Sequence, residues 1–309
     1  MMTTARTTCR NHAGPGKQVR SMLGRCLLAT VTALLLYSPS VWGQTTLWQG
    51  HANGKTIYLM GSIHVLQKEH YPLPEVMEKA FQESDLIVFE IDQQEMESPA
   101  SQEIIRKKGM YPAGQTLQQE VAPATFKALL DHLATLKLPP AIFQPMKPAY
   151  SALVITMMEF QRLGFEPQYG LDQYFADKAR RRGKKTAALE SAEFQINLFF
   201  DLSGDEQEKF LVQTLLELDT FASQSDKMSQ AWRQGKSKEL QELLITSFQD
   251  FPGLYDRLIV HRNKAWLPLI EKFATEHDTV LVVVGAGHLV GPNSMIRLLE
   301  ERGYTFRQL

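Results

Sequence analysis

The chain has 309 residues, 44% of them apolar, with 33 lysines and arginines against 34 acids. That balance supports a packed core and argues against a phosphate-neutralising nucleic-acid binder. Both cysteines, Cys9 and Cys26, fall within the first 43 residues, so the rest of the chain has no thiol for a disulfide or a nucleophile.

Residues 1–43 read as a cleaved secretory signal. Arg6, Arg10, Lys17, Arg20 and Arg25 make a basic start without an acid, Leu27–Tyr37 is an apolar core, and Val41-Trp42-Gly43 supplies a cleavage site before Gln44. Met22–Gly43 is also complete as a signal, so Met1 and Met22 both stand as possible starts. The apolar core is shorter than the roughly 20 residues of a membrane helix. The mature chain, residues 44–309, is therefore expected in the periplasm or outside the cell, with no stable membrane span. Taking the five basic residues of the signal from the 33 leaves 28 against 34 acids, a net charge near −6.

The mature chain opens with a β-hairpin. Thr46–Gln49 and Thr56–Met60 are β-prone runs, and Asn53-Gly54 between them is a strong turn signal. A helix over Leu73–Glu83 leads to a second strand, Leu86–Phe89. From about 95 to 165 the pattern turns helical: Phe126, Leu129, Leu130, Leu133 and Leu136 recur at helical spacing, and Tyr150–Leu163 continues as an apolar helix. Asp172–Arg182 is a helix feeding a strand at Lys185–Leu189. Ser203-Gly204-Asp205-Glu206 is a capping-box start in the further helices of about 191–277. Val280–Val284, a helix over Ser294–Glu301 and a strand at Tyr304–Phe306 close the chain. The whole reads as one α/β domain: a mixed sheet with flanking helices and a largely helical insertion between its two halves.

Four of these strands deliver ionisable groups to one edge. Gly61-Ser62-Ile63-His64 follows the first, and Gly285-Ala286-Gly287-His288 follows Val280–Val284, so one device is written twice. Glu90, with Asp92 behind it, follows Leu86–Phe89, and Glu190 follows Leu189. Open α/β sheets bind ligands at the carboxyl ends of their strands. A glycine there tolerates positive φ and admits a close backbone or ion, and the histidine brings a neutral nitrogen. A catalytic metal needs about three protein ligands and an open position. His64, His288 and one or more of Glu90 and Glu190 would supply them, and imidazole with carboxylate favours zinc, manganese, cobalt or iron over calcium. Spacing does not say which glutamate ligates and which acts as base. The single crossover between their strands places Glu90 beside His64.

The runs Gly61–His64, Tyr71–Pro74, Val88–Asp92, Gly170–Tyr174, Leu189–Ser191, Arg262-Asn263 and Val284–Pro292 together resemble the TraB/GumN family, which is similar to the TIKI metalloproteases. The likeness runs from about Leu47 to Arg307. It implies a divalent metal ion, manganese, cobalt or zinc, held by His64, His288 and Glu90, with Glu90, Glu190, Arg262 and Asn263 as catalytic candidates. The pair Arg262-Asn263 would hold an oxyanion, a carboxylate or a ligand acid; by pattern alone it sits on an amphipathic, solvated helix face. The implied activity is hydrolysis of a peptide or another small-molecule substrate.

Alternatives have less support in the residues. Glu190 and Asp172 also suit helix amino termini, and Asp92 a loop. His51, His70, His132, His261 and His277 have no partner at metal spacing and read as surface groups. The sequence has no Gly-x-Ser-x-Gly elbow, no His-Glu-x-x-His helix, no phosphate loop and no dinucleotide fingerprint. Ser62 beside His64 is a poor nucleophile–base pair, because adjacent turn positions rarely face each other. The competing function is a non-catalytic protein of the same fold that sequesters a peptide, a metal or haem.

Overall fold

The computed structural model describes residue 1 and residues 44–52, 54–245, 248 and 251–309. The expected signal lies outside the described residues, and 43–309 form one compact unit. Six strands build one sheet: β1 (Leu47–Ala52), β2 (Lys55–Ser62), β3 (Leu86–Phe89), β4 (Lys185–Ala188), β5 (Thr279–Gly285) and β6 (Thr305–Gln308). Their order is β4-β3-β5-β2-β1-β6. β2, β3, β4 and β5 run parallel, while β1 pairs antiparallel with both β2 and β6. The sheet is mixed, as expected from the sequence.

One expected adjacency is wrong. β2 and β3 are not neighbours, because β5 enters the sheet between them and pairs with both. β5 is buried from Val280 to Val284, and a strand so apolar on both faces belongs at the centre of a parallel sheet rather than near an edge.

Alternation along the central strands sorts their side chains to two faces. On one face Met60, Ile87, Phe89, Leu281 and Val283 meet Phe81 of α1 (Glu75–Glu83), and Leu171 and Phe175 of a later helix pack with them. On the other, Leu59, Val88, Val280, Val282 and Val284 meet Trp266 and Ile270 near the carboxyl end. Burying one such side chain contributes roughly 1.5–3 kcal/mol. The result is a three-layer α/β/α arrangement.

The remaining helices are α2 (Pro99–Gly109), α3 (Pro123–Thr135), α4 (Pro148–Arg162), α5 (Leu171–Arg182), α6 (Ala192–Phe200), α7 (Gly204–Glu217), α8 (Phe221–Arg233), α9 (Ser237–Ile245), α10 (His261–Glu276) and α11 (Met295–Glu300). Ser203 and Glu206 form the expected capping box at the start of α7. The helical insertion is assembled from both sides of β4: Phe126, Leu129 and Leu133 of α3 and Ile155 of α4 close a core with Leu211 of α7. Among the described residues no helix is long and apolar enough to cross a membrane.

Candidate functional site

The strand order β4-β3-β5-β2 sets Glu190, Glu90, His288 and His64 in a row past the carboxyl ends of four adjacent strands. Ser62 stands opposite Gly285 in the β2–β5 register, so the two Gly-x-x-His turns leave the sheet side by side. The glycines serve close approach alone. Gly285 has φ −50, and Gly61 lies inside β2 and is absent from the positive-φ glycines. A methyl on Gly61 would come within 3.2 Å of Ala286 Cα. The Gly61 carbonyl accepts hydrogen bonds from Trp232 Nε1 (2.7 Å) and Thr46 Oγ1 (3.2 Å).

His288 is 3% exposed. Its Nδ1 is 2.7 Å from Asn263 Oδ1, and Asn263 Nδ2 donates to the carbonyls of His288 and Asn293. Asn263 therefore presents an acceptor, the imidazole proton resides on Nδ1, and the Nε2 lone pair points into the site. That lone pair accepts from Arg262 Nη1 at 3.0 Å. The Trp266 ring lies 4.4 Å away. Burial pushes the His288 pKa down to about 3, and Arg262 adds to that despite the opposing charge of Glu90. His288 is a neutral donor of one nitrogen.

Glu90 is equally enclosed. Its Oε1 accepts from the Gly285 amide at 2.6 Å, and its Oε2 accepts from Arg262 Nη2 and from Gln195 Nε2 at 2.9 Å. Burial works to raise its pKa, but the facing positive charge, Arg262 above all, wins and brings it to about 2. Glu90 is a fixed anion and a weak base.

Glu190 shares Arg262 Nη2 with Glu90. Its carboxylate takes Arg262 Nε at 3.1 and 3.2 Å, Arg262 Nη2 at 2.6 Å and Trp266 Nε1 at 3.0 Å. It anchors Arg262, while Ser191 caps α6. Arg262 and Asn263 are not on a solvated face: they are 7% and 0% exposed. A π-helical turn at Asp256–Val260 precedes them in the first turn of α10, and such turns are frequent at functional sites.

His64 is the open member of the row, with 62% of its side chain exposed. Its Nδ1 pairs with Asp172 Oδ1 at 3.1 Å, and Gln93 donates to Asp172 Oδ2 at 3.2 Å. The charge of Asp172 raises the His64 pKa to about 9 against the cost of desolvation. Asp172 is not the cap of α5. Gly170 is, and a methyl there would stand 2.2 Å from the His64 carbonyl. That close approach carries Asp172 to the imidazole.

The three groups nearest one another converge on Gly285. A methyl placed there would lie 3.2 Å from Glu90 Oε1 and 3.7 Å from both His64 Nε2 and His288 Cδ2. His288 Nε2 and Glu90 Oε1 are 3.8 Å apart, less than two metal–ligand bonds of about 2.1 Å laid end to end. The donor types and their convergence fit a divalent ion. Yet among the described residues no three His, Asp or Glu side chains stand at metal-binding separation, and Arg262 already engages both His288 and Glu90.

Asp92 caps the short helix Gln93–Met96 through the Gln94 amide, outside this group. His70 is not a surface residue: it is 8% exposed, and its ring lies 6.0 Å from Phe165. His132 is also half-enclosed, 3.3 Å from Glu159. Gln195, Trp266 and Gln93 hold the site's carboxylates and carry no sequence signal of their own. Ser62 Oγ is buried with no hydrogen-bond partner among the described residues, so nothing couples it to His64 as a nucleophile.

The TraB/PrgY/gumN family model matches residues 46–308, which include every residue of this site. The chain belongs to the TraB/PrgY/gumN family. Relatives include the uncharacterized protein YbaP of Escherichia coli K12, 26% identical over 242 residues covering 78% of this chain and 87% of YbaP. Metalloprotease TIKI1 of Danio rerio is 24% identical over 297 residues, and TIKI1 of Xenopus tropicalis 23% over 300. This member spans 60% and 58% of those two proteins. No solved structure matches it.

Proposed function

We propose that this chain is an exported metal-dependent hydrolase acting on peptides. The observation that carries the reading is the convergence of His64, Glu90 and His288 on Gly285, in a chain whose relatives include proteins named metalloproteases. His64 Nε2, His288 Nε2 and a Glu90 oxygen would hold the ion, which would supply a polarised carbonyl and an acidified water. Manganese, cobalt and zinc suit the donors.

The chain's own residues do the rest. Asn263 keeps the proton off His288 Nε2, and Asp172 orients His64 so that its Nε2 faces Gly285. The depressed pKa of Glu90 supports ligation or charge over proton transfer. Glu190 positions Arg262. Releasing Nη1 from His288 Nε2 leaves Arg262 anchored through Nε and Nη2, free to turn one nitrogen toward a substrate oxygen.

One observation favours a second reading. Arg262 occupies the His288 Nε2 lone pair, an arrangement that also suits a protein of the same fold that holds a peptide over these residues and performs no chemistry.

Metal analysis of tag-free protein, followed by mass spectrometry of a peptide library incubated with manganese, cobalt or zinc, decides between them. New peptide termini that vanish in His64→Ala and His288→Ala support the hydrolase; co-purifying ligand released unmodified supports the binder. Amino-terminal sequencing of the cellular protein tests export, with Gln44 as the expected first residue.

A further inference from the structure

A cavity of about 480 Å³ opens over the site, and His64, Glu90, Arg262 and His288 form its floor. Its walls are apolar and come from parts of the chain distant in sequence: Phe160 of α4, Leu198 and Phe199 of α6, Met228 of α8, and Leu258 and Ile259 of the π turn. Two other cavities, of about 420 Å³ along Asp92, Asp177 and Arg180 and about 690 Å³ around Phe251 and Arg257, contain none of the four strand-end groups. The volume over the site is in the range of small-ligand pockets.

The charges on the floor are already spent. Among the described residues Arg262 is the one lysine or arginine on this cavity's lining, and it faces Glu90 and Glu190; His64 faces Asp172. An acidic side chain entering here would lose its hydration and find no unpaired cation, whereas an aliphatic or aromatic one would gain apolar burial.

We propose that this cavity is the specificity subsite for a large apolar side chain, of the leucine, methionine or phenylalanine class, of a bound peptide. Its part in cleavage rests on the hydrolase reading above; its apolar binding does not.

Fluorescence anisotropy of the purified protein in chelator tests it, with labelled hexapeptides identical except for a central Phe, Leu, Gly or Asp. The Phe and Leu peptides are expected to bind at least tenfold tighter than the Gly and Asp peptides. Met228→Lys and Leu258→Lys, at half-exposed wall positions, should shrink that preference to twofold or less with the melting temperature unchanged. If either lysine variant fails to fold, Phe199→Ala, which enlarges the cavity, replaces it and should favour Phe over Leu. Equal affinity for all four peptides, or folded wall variants that keep the preference, overturns the proposal. A protein that binds the apolar peptides but cleaves nothing with any ion refutes the hydrolase and leaves the subsite standing. One that cleaves without apolar preference refutes the subsite alone.

Discussion

Asn263 Oδ1 lies 2.7 Å from His288 Nδ1, while the amide of the same side chain holds the His288 and Asn293 carbonyls. One buried residue thus sets the tautomer, the ring orientation and the turn. Asn263→Ala strands three buried polar groups, each worth about 1–3 kcal/mol when left unpaired. The expected result is a loss of several kcal/mol in chemical denaturation. Asn263→Asp should instead offer Nδ1 a charged acceptor while losing both amide bonds, and should raise the His288 pKa as read by NMR titration.

Arg262 is the single cation between two buried carboxylates, Glu90 and Glu190. Arg262→Met leaves both acids unpaired and should cost about 3–5 kcal/mol, the usual penalty for breaking a buried pair. Adding Glu190→Gln to that variant should recover part of the loss, since one of the orphaned charges disappears. Strictly additive losses in the double-mutant cycle would show that the two side chains are not coupled.

The pairing of acids with Arg262 marks the limit of what the sequence discloses. The duplicated Gly-x-x-His runs and the strand-end glutamates locate the site because each follows a short apolar run, and strand ends are legible from period and punctuation. Strand order is legible only in part: the apolarity of Val280–Val284 marks a central strand, but nothing local says that its neighbours are β2 and β3, and that insertion is what puts His288 beside Glu90. The burial of Arg262 was equally hidden, because its helix looks amphipathic by pattern and its partners Glu90 and Glu190 are distant in sequence. In the sequence Asp172 reads equally as a helix cap and as a site residue. The contact of Gly170 with the His64 carbonyl, 106 residues apart, is a tertiary event that no window of sequence contains.

Metal-free protein should lose stability on both sides of neutrality. His288, ordinarily near 6.5, is held to about 3. Between those values the unfolded chain binds a proton that the folded chain refuses, so this contribution is full above pH 6.5 and falls away toward pH 3. Its slope is at most about 1.4 kcal/mol per pH unit. Glu90, lowered from 4.5 to about 2, adds a proton over that lower window in the same direction. His64 acts oppositely. Raised to about 9, it stabilises fully below pH 6.5 and loses that effect between 6.5 and 9, weakly because its exposed face is screened. Guanidinium melts from pH 3 to 10 should give a steep acid limb and a shallow alkaline one; a flat profile between pH 6.5 and 4 would contradict a buried neutral His288.

Metal binding should release a proton. His64 is charged at pH 7 in the metal-free state and must become neutral to ligate. Calorimetric titration in buffers of different ionisation enthalpy should report close to one proton released per ion at pH 7, falling toward none above pH 9. Affinity should rise over the same interval. No proton release at pH 7 would remove His64 from the ligand set.

Gly285→Ala separates the metal site from the fold. With φ −50 the position accepts alanine without backbone strain. The added methyl would stand 3.2 Å from Glu90 Oε1 and 3.7 Å from His64 Nε2 and His288 Cδ2, the space on which the three groups converge. Glu90 Oε1 is also tied to the Gly285 amide, so it has little room to retreat. Overpacking against Glu90 Oε1 should cost about 1–3 kcal/mol of stability, while affinity for manganese, cobalt or zinc should fall at least tenfold and turnover with it. Wild-type metal affinity in a folded Gly285→Ala protein would show that the ion, if bound, sits elsewhere, and His64, Glu90 and His288 would then have to be read as a hydrogen-bonded framework around Arg262.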